Sequence, residues 1–510
     1  MKKFGWIAVV AMGSASVISI PNANAAPKAG GACKANEVGT TATAGSASLE
    51  CKKSGKAGKW VRVTVTTTAP PTTAPPTTAP PAPSTAAPAV AIVNGQGVTD
   101  TTIKVGFIDA AFRTPAGFLP SSTGNATAQI NAVVEAINAQ GGIGGRKVTA
   151  VIKQMDLGSS NDGQAASLCA AFGDDEKVFA VVSQSILVSA SGRECFAKKK
   201  ILWLEAAGSF PLDTATLERM SPYAFMVNLP AIDRIGRSYA KMLVDEKFFG
   251  DAPKDTKWGI LAMGDSPYKN AVEDLKAELK KAGIEPADTV FFDTTSQDTV
   301  SRDSSAAAPR FAAKGITHVV SLVSAGNTAQ FMWAAEDNKY FPRMSFTSYD
   351  NIKVLQNATA FRLPRAVSKA NLANALAIGF YPIADAEDTQ LTFPQAGPEQ
   401  RCIDIYSKKQ LITGFESRYL SRYAQAYCDG MYFLKTVGDK SKGGLNAEAF
   451  TAEAEKLGSK GFDASIGWLT KFGPKRHDGG DGYRVLKFNP LCSKPFNGCL
   501  EYASGVKPFI

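Results

Sequence analysis

Histidine is nearly absent from this chain: two residues in 510, His318 and His477. A Ser-His-Asp hydrolase would have to use one of them. His318 opens an apolar run, Ile316-Thr317-His318-Val319-Val320, and His477 lies in a polar stretch. No Gly-x-Ser-x-Gly elbow occurs, and Gly145-Arg146-Lys147 lacks the GK[ST] ending of a phosphate loop. No Cys-x-x-Cys pair occurs either, which removes the usual spacing of zinc and dithiol redox sites. Beyond residue 20 no stretch approaches the ~20 apolar residues a membrane span needs. These absences point away from an enzyme, a metal protein or a cofactor carrier, and leave binding.

The N-terminus reads as a targeting segment. Lys2 and Lys3 are basic, Phe4 to Ile20 is largely apolar, and Ala23-Asn24-Ala25 supplies small residues for cleavage after Ala25. Residues 1–25 are therefore expected to be a signal peptide. Cys33 lies too late, behind Gly30-Gly31-Ala32, to accept a lipid, so the expectation is an exported, unlipidated protein in the periplasm, cell envelope or medium. The eight cysteines fit export. They fall as Cys33/Cys51, Cys169/Cys195, Cys402/Cys428 and Cys492/Cys499, and sequential pairing is the simplest reading.

Charge is unevenly placed. The net charge is +10, yet residues 26–65 alone hold seven Lys/Arg against Glu37 and Glu50. These residues form a small Cys-bracketed basic module ending in the strand-like Trp60 to Val65, short enough to need a staple. A cationic exported module can dock on anionic envelope polymers; the alternative is a basic surface that only keeps it soluble. Nucleic acid is not an expected partner, because basic and aromatic residues are not interleaved. From Thr67 to Pro81 the sequence Thr-Thr-Ala-Pro-Pro repeats three times. Residues 66–97 are thus a Thr/Pro-rich linker, extended in character; about 24 residues of it at ~3.1 Å each reach roughly 75 Å.

From Val98 the pattern alternates strand and helix, as in βαβ units with parallel sheets. Two such series meet near residues 212–256. The expected fold class is α/β, with two Rossmann-like lobes inside 98–510: lobe one at about 98–220, lobe two at about 221–350, and the remainder recrossing between them before a C-terminal extension.

The stretch Ala136-Ile137-Asn138-Ala139-Gln140-Gly141-Gly142-Ile143-Gly144-Gly145-Arg146-Lys147-Val148 resembles the glycine-rich signature of type I periplasmic binding proteins, the leucine/isoleucine/valine-binding class of ABC-transporter substrate-binding proteins. Val181 to Ser185, Ile201 to Ser209, Asp265-Ser266-Pro267-Tyr268 and Phe346-Thr347-Ser348 are similar to further elements of that class, in the same order, with Lys269 where the family has Gly. The resemblance covers about residues 98–430. It implies two lobes joined by a multi-strand hinge, three chain crossings, no chemistry and no cofactor, and a small polar solute (amino acid-like, or a small carboxylate or amide) delivered to an ABC permease. It also implies ligand-binding roles for Ser183 or Ser185, Gly208 and Ser209 on lobe one and Tyr268 on lobe two. Ser348 stands where family members binding amino acids place an acid, and Asp350, two residues on, is the nearest carboxylate. An extracellular ligand sensor or envelope-bound interaction protein would use the same fold.

Overall fold

A computed structural model describes residues 32–33, 38, 41–44, 47–54, 57–62, 93–111, 125–156, 161–183, 190–206, 211–294, 296–350, 365–385, 390–411, 418–441, 444–492 and 498–510. The chain divides into two compact units, Met1–Ala87 and Pro88–Ile510. The signal segment and linker residues 66–92 lie outside the described residues; residues 93–97, expected in the linker, instead pack on the second unit, with Gly95 N donating to Leu445 O at 2.9 Å and Gln96 Nε2 to Val178 O at 3.0 Å.

The first unit is an antiparallel sheet of β1 (Ala32–Cys33), β2 (Thr41–Ala44), β3 (Ala47–Ser54) and β4 (Ala57–Arg62), in the order β1-β4-β3-β2. Its core is the buried cluster Leu49, Cys51 and Trp60. Cys51 is disulfide-bonded; the side chain of Cys33 is not among the described ones.

The second unit contains two sheets. In lobe one, β5 (Thr102–Ala111), β6 (Lys147–Asp156), β7 (Ala180–Ser183), β8 (Leu202–Glu205) and β9 (Ala224–Met226) are all parallel, in the order β6-β5-β7-β8-β9. Strands β7 and β8 are buried at every residue, as expected of strands covered on both faces. One face packs on α1 (Ala126–Ala139) and on the later helices Pro398–Ser407, Arg418–Gly438 and Ala447–Glu455. The other packs on α2 (Asn161–Ala170) and α3 (Ala190–Lys198). The glycine-rich signature turns the chain from α1 into β6, at the amino end of the sheet. Gly142 has φ +72°, and a Cβ there would lie 2.0 Å from the Arg146 carbonyl oxygen, so only glycine fits.

In lobe two, β10 (Trp258–Met263), β11 (Asp288–Phe292), β12 (His318–Leu322), β13 (Arg343–Thr347) and β14 (Leu376–Gly379) run parallel in the order β11-β10-β12-β13-β14. Antiparallel strands β15 (Gly482–Asn489) and β16 (Cys499–Tyr502) extend that edge, and β17 (Lys507–Pro508) pairs with β15. Helix α4 (Thr214–Met220) runs between β8 and β9; helices α5 (Ile232–Asp245), α6 (Ser266–Lys281), α7 (Gln297–Ala313) and α8 (Ala325–Asp337) follow in lobe two. The C-terminal extension is thus the sheet's antiparallel margin, a long-range pairing that local periodicity does not carry.

The chain passes between the lobes three times: after β9, after β14, and between helix Ala447–Glu455 and β15. The first and third passages lie side by side. Met226 N donates to His477 O at 2.9 Å, Gly479 N to Met226 O at 2.6 Å, and Gly480 N to Leu229 O at 3.1 Å. A Cβ on Gly479 would stand 2.2 Å from Val227 O, and one on Gly480 2.4 Å from Pro230 N. Buried Asp429 ties the same passages to lobe one, accepting from Asn228 Nδ2 at 3.0 Å and Ser465 N at 2.7 Å. Disulfides join Cys169 to Cys195 (α2 to α3), Cys402 to Cys428, and Cys492 to Cys499. Among the described residues no helix is long and apolar enough to cross a membrane.

Candidate functional site

In open parallel sheets, ligands bind beyond the carboxyl ends of the strands. On lobe one those ends present Ser183 and Glu205, side by side in register. Both are fully buried. Glu205 Oε2 accepts from Arg193 Nη1 at 2.7 Å and from Trp203 Nε1 at 3.2 Å. Arg193 comes from α3, which packs on β8 and turns this one cation inward, 1% exposed. Burial raises the Glu205 carboxyl above its ordinary range, and Arg193 opposes that rise. Glu205 Oε1 is buried with no hydrogen-bond partner.

On lobe two, β10 leads into Asp265, the N-cap of α6, and Tyr268 in that helix's first turn. Tyr268 is 1% exposed. Its hydroxyl is held well above its usual range, first by burial, then by Asp265, Tyr349 and Asp350. β13 leads into a tight turn, Ser348–Asp350, whose middle residue is Tyr349. The Tyr349 hydroxyl is buried without a partner; burial raises it, and the next influences on it are Glu205 and Arg193 of the opposite lobe. Asp265 Oδ1 is likewise buried and unpartnered, and its carboxyl is raised by burial, with Arg193 acting against the rise. Arg193 and Glu205 of lobe one therefore face Asp265, Tyr268 and Tyr349 of lobe two.

The residues singled out from the sequence divide into three groups. Ser183 and Tyr268 lie at facing strand ends. Ser185, Gly208 and Ser209 lie outside the described residues. Ser348 and Asp350 are turned into their own lobe. Ser348 Oγ donates to Asp385 Oδ1 at 2.5 Å and accepts from Phe380 N at 2.7 Å and Tyr381 N at 3.1 Å. Asp350 accepts from the hydroxyls of Ser321, Thr328 and Thr347 and from Thr347 N. Burial still lifts its pKa to about 6.

Sequence reasoning missed Arg193 and Tyr349. The signals were an arginine two positions before a helical cysteine, and an aromatic between the two polar residues that had drawn attention. The histidines stand apart from this site. His318 is at the amino end of β12, with its pKa lowered to about 4 by burial and then by Arg343. His477 stacks on Phe225 at 4.4 Å in the third passage. A groove of about 460 Å³ on lobe one, lined by Gly397, Arg401, Lys460 and Phe462 among others, includes none of the strand-end residues. Among the described residues, the one cluster of metal-donor groups is Cys492, Cys499 and Glu501, and its two sulfurs are already joined in a disulfide.

The family model described as a periplasmic binding protein matches residues 102–489. The chain belongs to that family, whose members bind small solutes and serve ABC transporters. Solved structures share its fold. One is an ABC-transporter substrate-binding protein from Desulfitobacterium hafniense in complex with Leu (16% identity, TM-score 0.51, covering 79% of this chain and 99% of that one). Another is a fatty acid ABC-transporter substrate-binding protein from Thermomonospora curvata (16%, 0.55, 82% and 95%). A third is an R. palustris solute-binding protein in complex with 4-hydroxybenzoate (14%, 0.56, 80% and 97%). No curated protein matches the chain.

Proposed function

We propose that this protein is exported, captures a small polar solute between its two lobes without chemical change, and delivers it to an ABC permease. The observation that carries the proposal is the set of unsatisfied buried groups meeting from both lobes: Glu205 Oε1 on one side, Asp265 Oδ1 and the Tyr349 hydroxyl on the other. A buried polar atom without a partner costs about 1–3 kcal/mol. A ligand that donates to the two carboxylates and accepts from Tyr349 recovers that cost at each point, and can do so only while the lobes are together. Binding is thereby coupled to closure.

Two acceptors facing one phenol and one guanidinium suit a ligand with an amine or amide at one end and a carboxylate or carbonyl at the other. The carboxylate end falls to lobe one, where Ser183 ends β7; Ser185, Gly208 and Ser209 follow the two strands in sequence, and the family resemblance gives them the hydroxyls and backbone N–H groups that take it. Tyr268 closes the site from lobe two. Ser348 and Asp350 act as supports: their hydrogen bonds fix the turn that presents Tyr349. The neighbours' ligands, leucine and 4-hydroxybenzoate, are both small carboxylates. The basic and apolar run of sequence at residues 2–20 and the oxidised cysteine pairs fit an extracytoplasmic site.

Calorimetric titration with amino acids, their amides and small aromatic acids tests the proposal. A hit whose affinity falls on Tyr349→Phe and on Glu205→Gln supports it. A hit whose affinity ignores both overturns the site.

A further inference from the structure

The solute site makes no use of the first unit. In its central hairpin Cys51 stands opposite Trp60 and Leu49 opposite Arg62, and Leu49, Cys51 and Trp60 are buried together. One residue further along, Lys52 stands directly opposite Lys59. By strand alternation both leave the opposite face, and both are exposed. Like charges directly opposite on a sheet are destabilising. The nearest acid, Glu50, is 3.6 Å from Lys52 with both side chains in solvent, which offsets little. Lys53 and Arg62 are also exposed on this hairpin, leaving by the same alternation on the face of Cys51 and Trp60. Glu50 is the single acid among the described residues of the unit, against these four cations.

We propose that this lysine-bearing face is a docking surface for a linear phosphate-bearing polymer of the cell envelope. Paired lysines about 5 Å apart form a narrow, dense strip of charge that a chain of anions can follow. Lysine is a compact point charge suited to phosphate, whereas planar carboxylates favour the arginine fork, and the cross-strand pair is two lysines. A lipid surface fits less well. Peripheral attachment needs an apolar face to insert, and this hairpin exposes Val61 alone among its large apolar side chains. A polymer-bound first unit, followed in sequence by the Thr/Pro repeats, tethers the solute-binding unit without occupying it.

The test uses the mature full-length chain with long-chain polyphosphate as probe, and phosphatidylglycerol vesicles as the competing surface, both by sedimentation at several salt concentrations. The expected result is salt-sensitive binding to polyphosphate that Lys52→Ala/Lys59→Ala weakens at least about tenfold. Its salt slope should fall by roughly 1.4, for two contacts at ~0.7 each. Lys52→Arg/Lys59→Arg should retain binding, and Lys280→Ala/Lys281→Ala, on the exposed end of α6, should leave it unchanged. The Trp60 indole N–H resonance reports that the sheet is intact in each variant, and solute affinity should be the same in all of them. Equal losses in the two alanine pairs, or binding to vesicles but not to polyphosphate, would overturn the proposal while leaving the solute site standing.

Discussion

Arg193 and Glu205 lie 2.7 Å apart, 2% and 0% exposed, and the pair still leaves one Glu205 oxygen without a partner. A buried ion pair that serves stability alone is expected to fill its hydrogen bonds, because each empty one costs free energy. This one holds an acceptor in reserve at the mouth of the lobe-one sheet.

Breaking the pair on one side leaves an uncompensated buried carboxylate. Arg193→Met should destabilise the protein by about 3–5 kcal/mol, while Arg193→Met/Glu205→Leu should recover most of that loss. Urea denaturation of the two variants checks it. A double variant as unstable as the single one would mean that the arginine acts through packing.

Stability should also fall as pH rises from about 4 to about 8. Burial, opposed by Ser348, Tyr381 N, Tyr502 and Arg484, lifts Asp385 from 3.8 to about 8. Burial likewise lifts Asp429 to about 6. The folded protein then holds more protons than the unfolded chain over these windows. The contribution is complete below about pH 4, and is lost by about 6 for Asp429 and by about 8 for Asp385. Denaturation midpoints should fall between pH 6 and 8, and Asp385→Asn should flatten that part of the profile. An unchanged slope would show that Asp385 is ionised in the folded protein.

The hinge offers a paired comparison of glycines. Gly480→Ala places a methyl 2.4 Å from Pro230 N, whereas Gly473→Ala meets nothing within 4 Å. The first should cost about 1–3 kcal/mol and change solute affinity by disturbing the passage. The second should stay within about 0.5 kcal/mol. Thermal unfolding with titration of the same samples checks both.

The βα alternation was readable because strands such as Val178 to Val182 are continuous apolar runs bounded by helical periodicity, and the glycine-rich turn because Gly142 needs a positive φ. The hinge was not readable. Gly479 is glycine because Val227, more than 250 positions earlier, runs against it, and no local pattern carries that. Tyr349 was hidden for a related reason: the tight turn after β13 sends Ser348 and Asp350 into hydrogen bonds within their own lobe and leaves the aromatic between them at the cleft. Antiparallel β15 depends on pairing with β14 across more than 100 residues, and β16 on β15 in turn, which periodicity cannot report.

The Cys169–Cys195 bond spans 26 positions and joins neighbouring helices on one face of the lobe-one sheet. Cys169→Ala/Cys195→Ala should cost roughly 3 kcal/mol on the chain-entropy model and leave solute affinity within about twofold, since the bond lies in the core cluster between these helices and the sheet. Peptide mapping under non-reducing conditions, with denaturation of the variant, tests pairing and magnitude together.

The most direct test of the central claim is a thermal-shift screen against amino acids, amides and small aromatic acids, followed by calorimetry of the best ligand with wild type, Tyr268→Ala and Tyr349→Phe. A ligand at 100 times its dissociation constant should add about 2.7 kcal/mol to wild-type stability. Each variant should bind at least about fivefold more weakly; Tyr349→Phe should change unliganded stability little, whereas Tyr268→Ala, which empties a buried site, should lower it by about 3–5 kcal/mol. Wild-type affinity in both variants would contradict capture between the lobes.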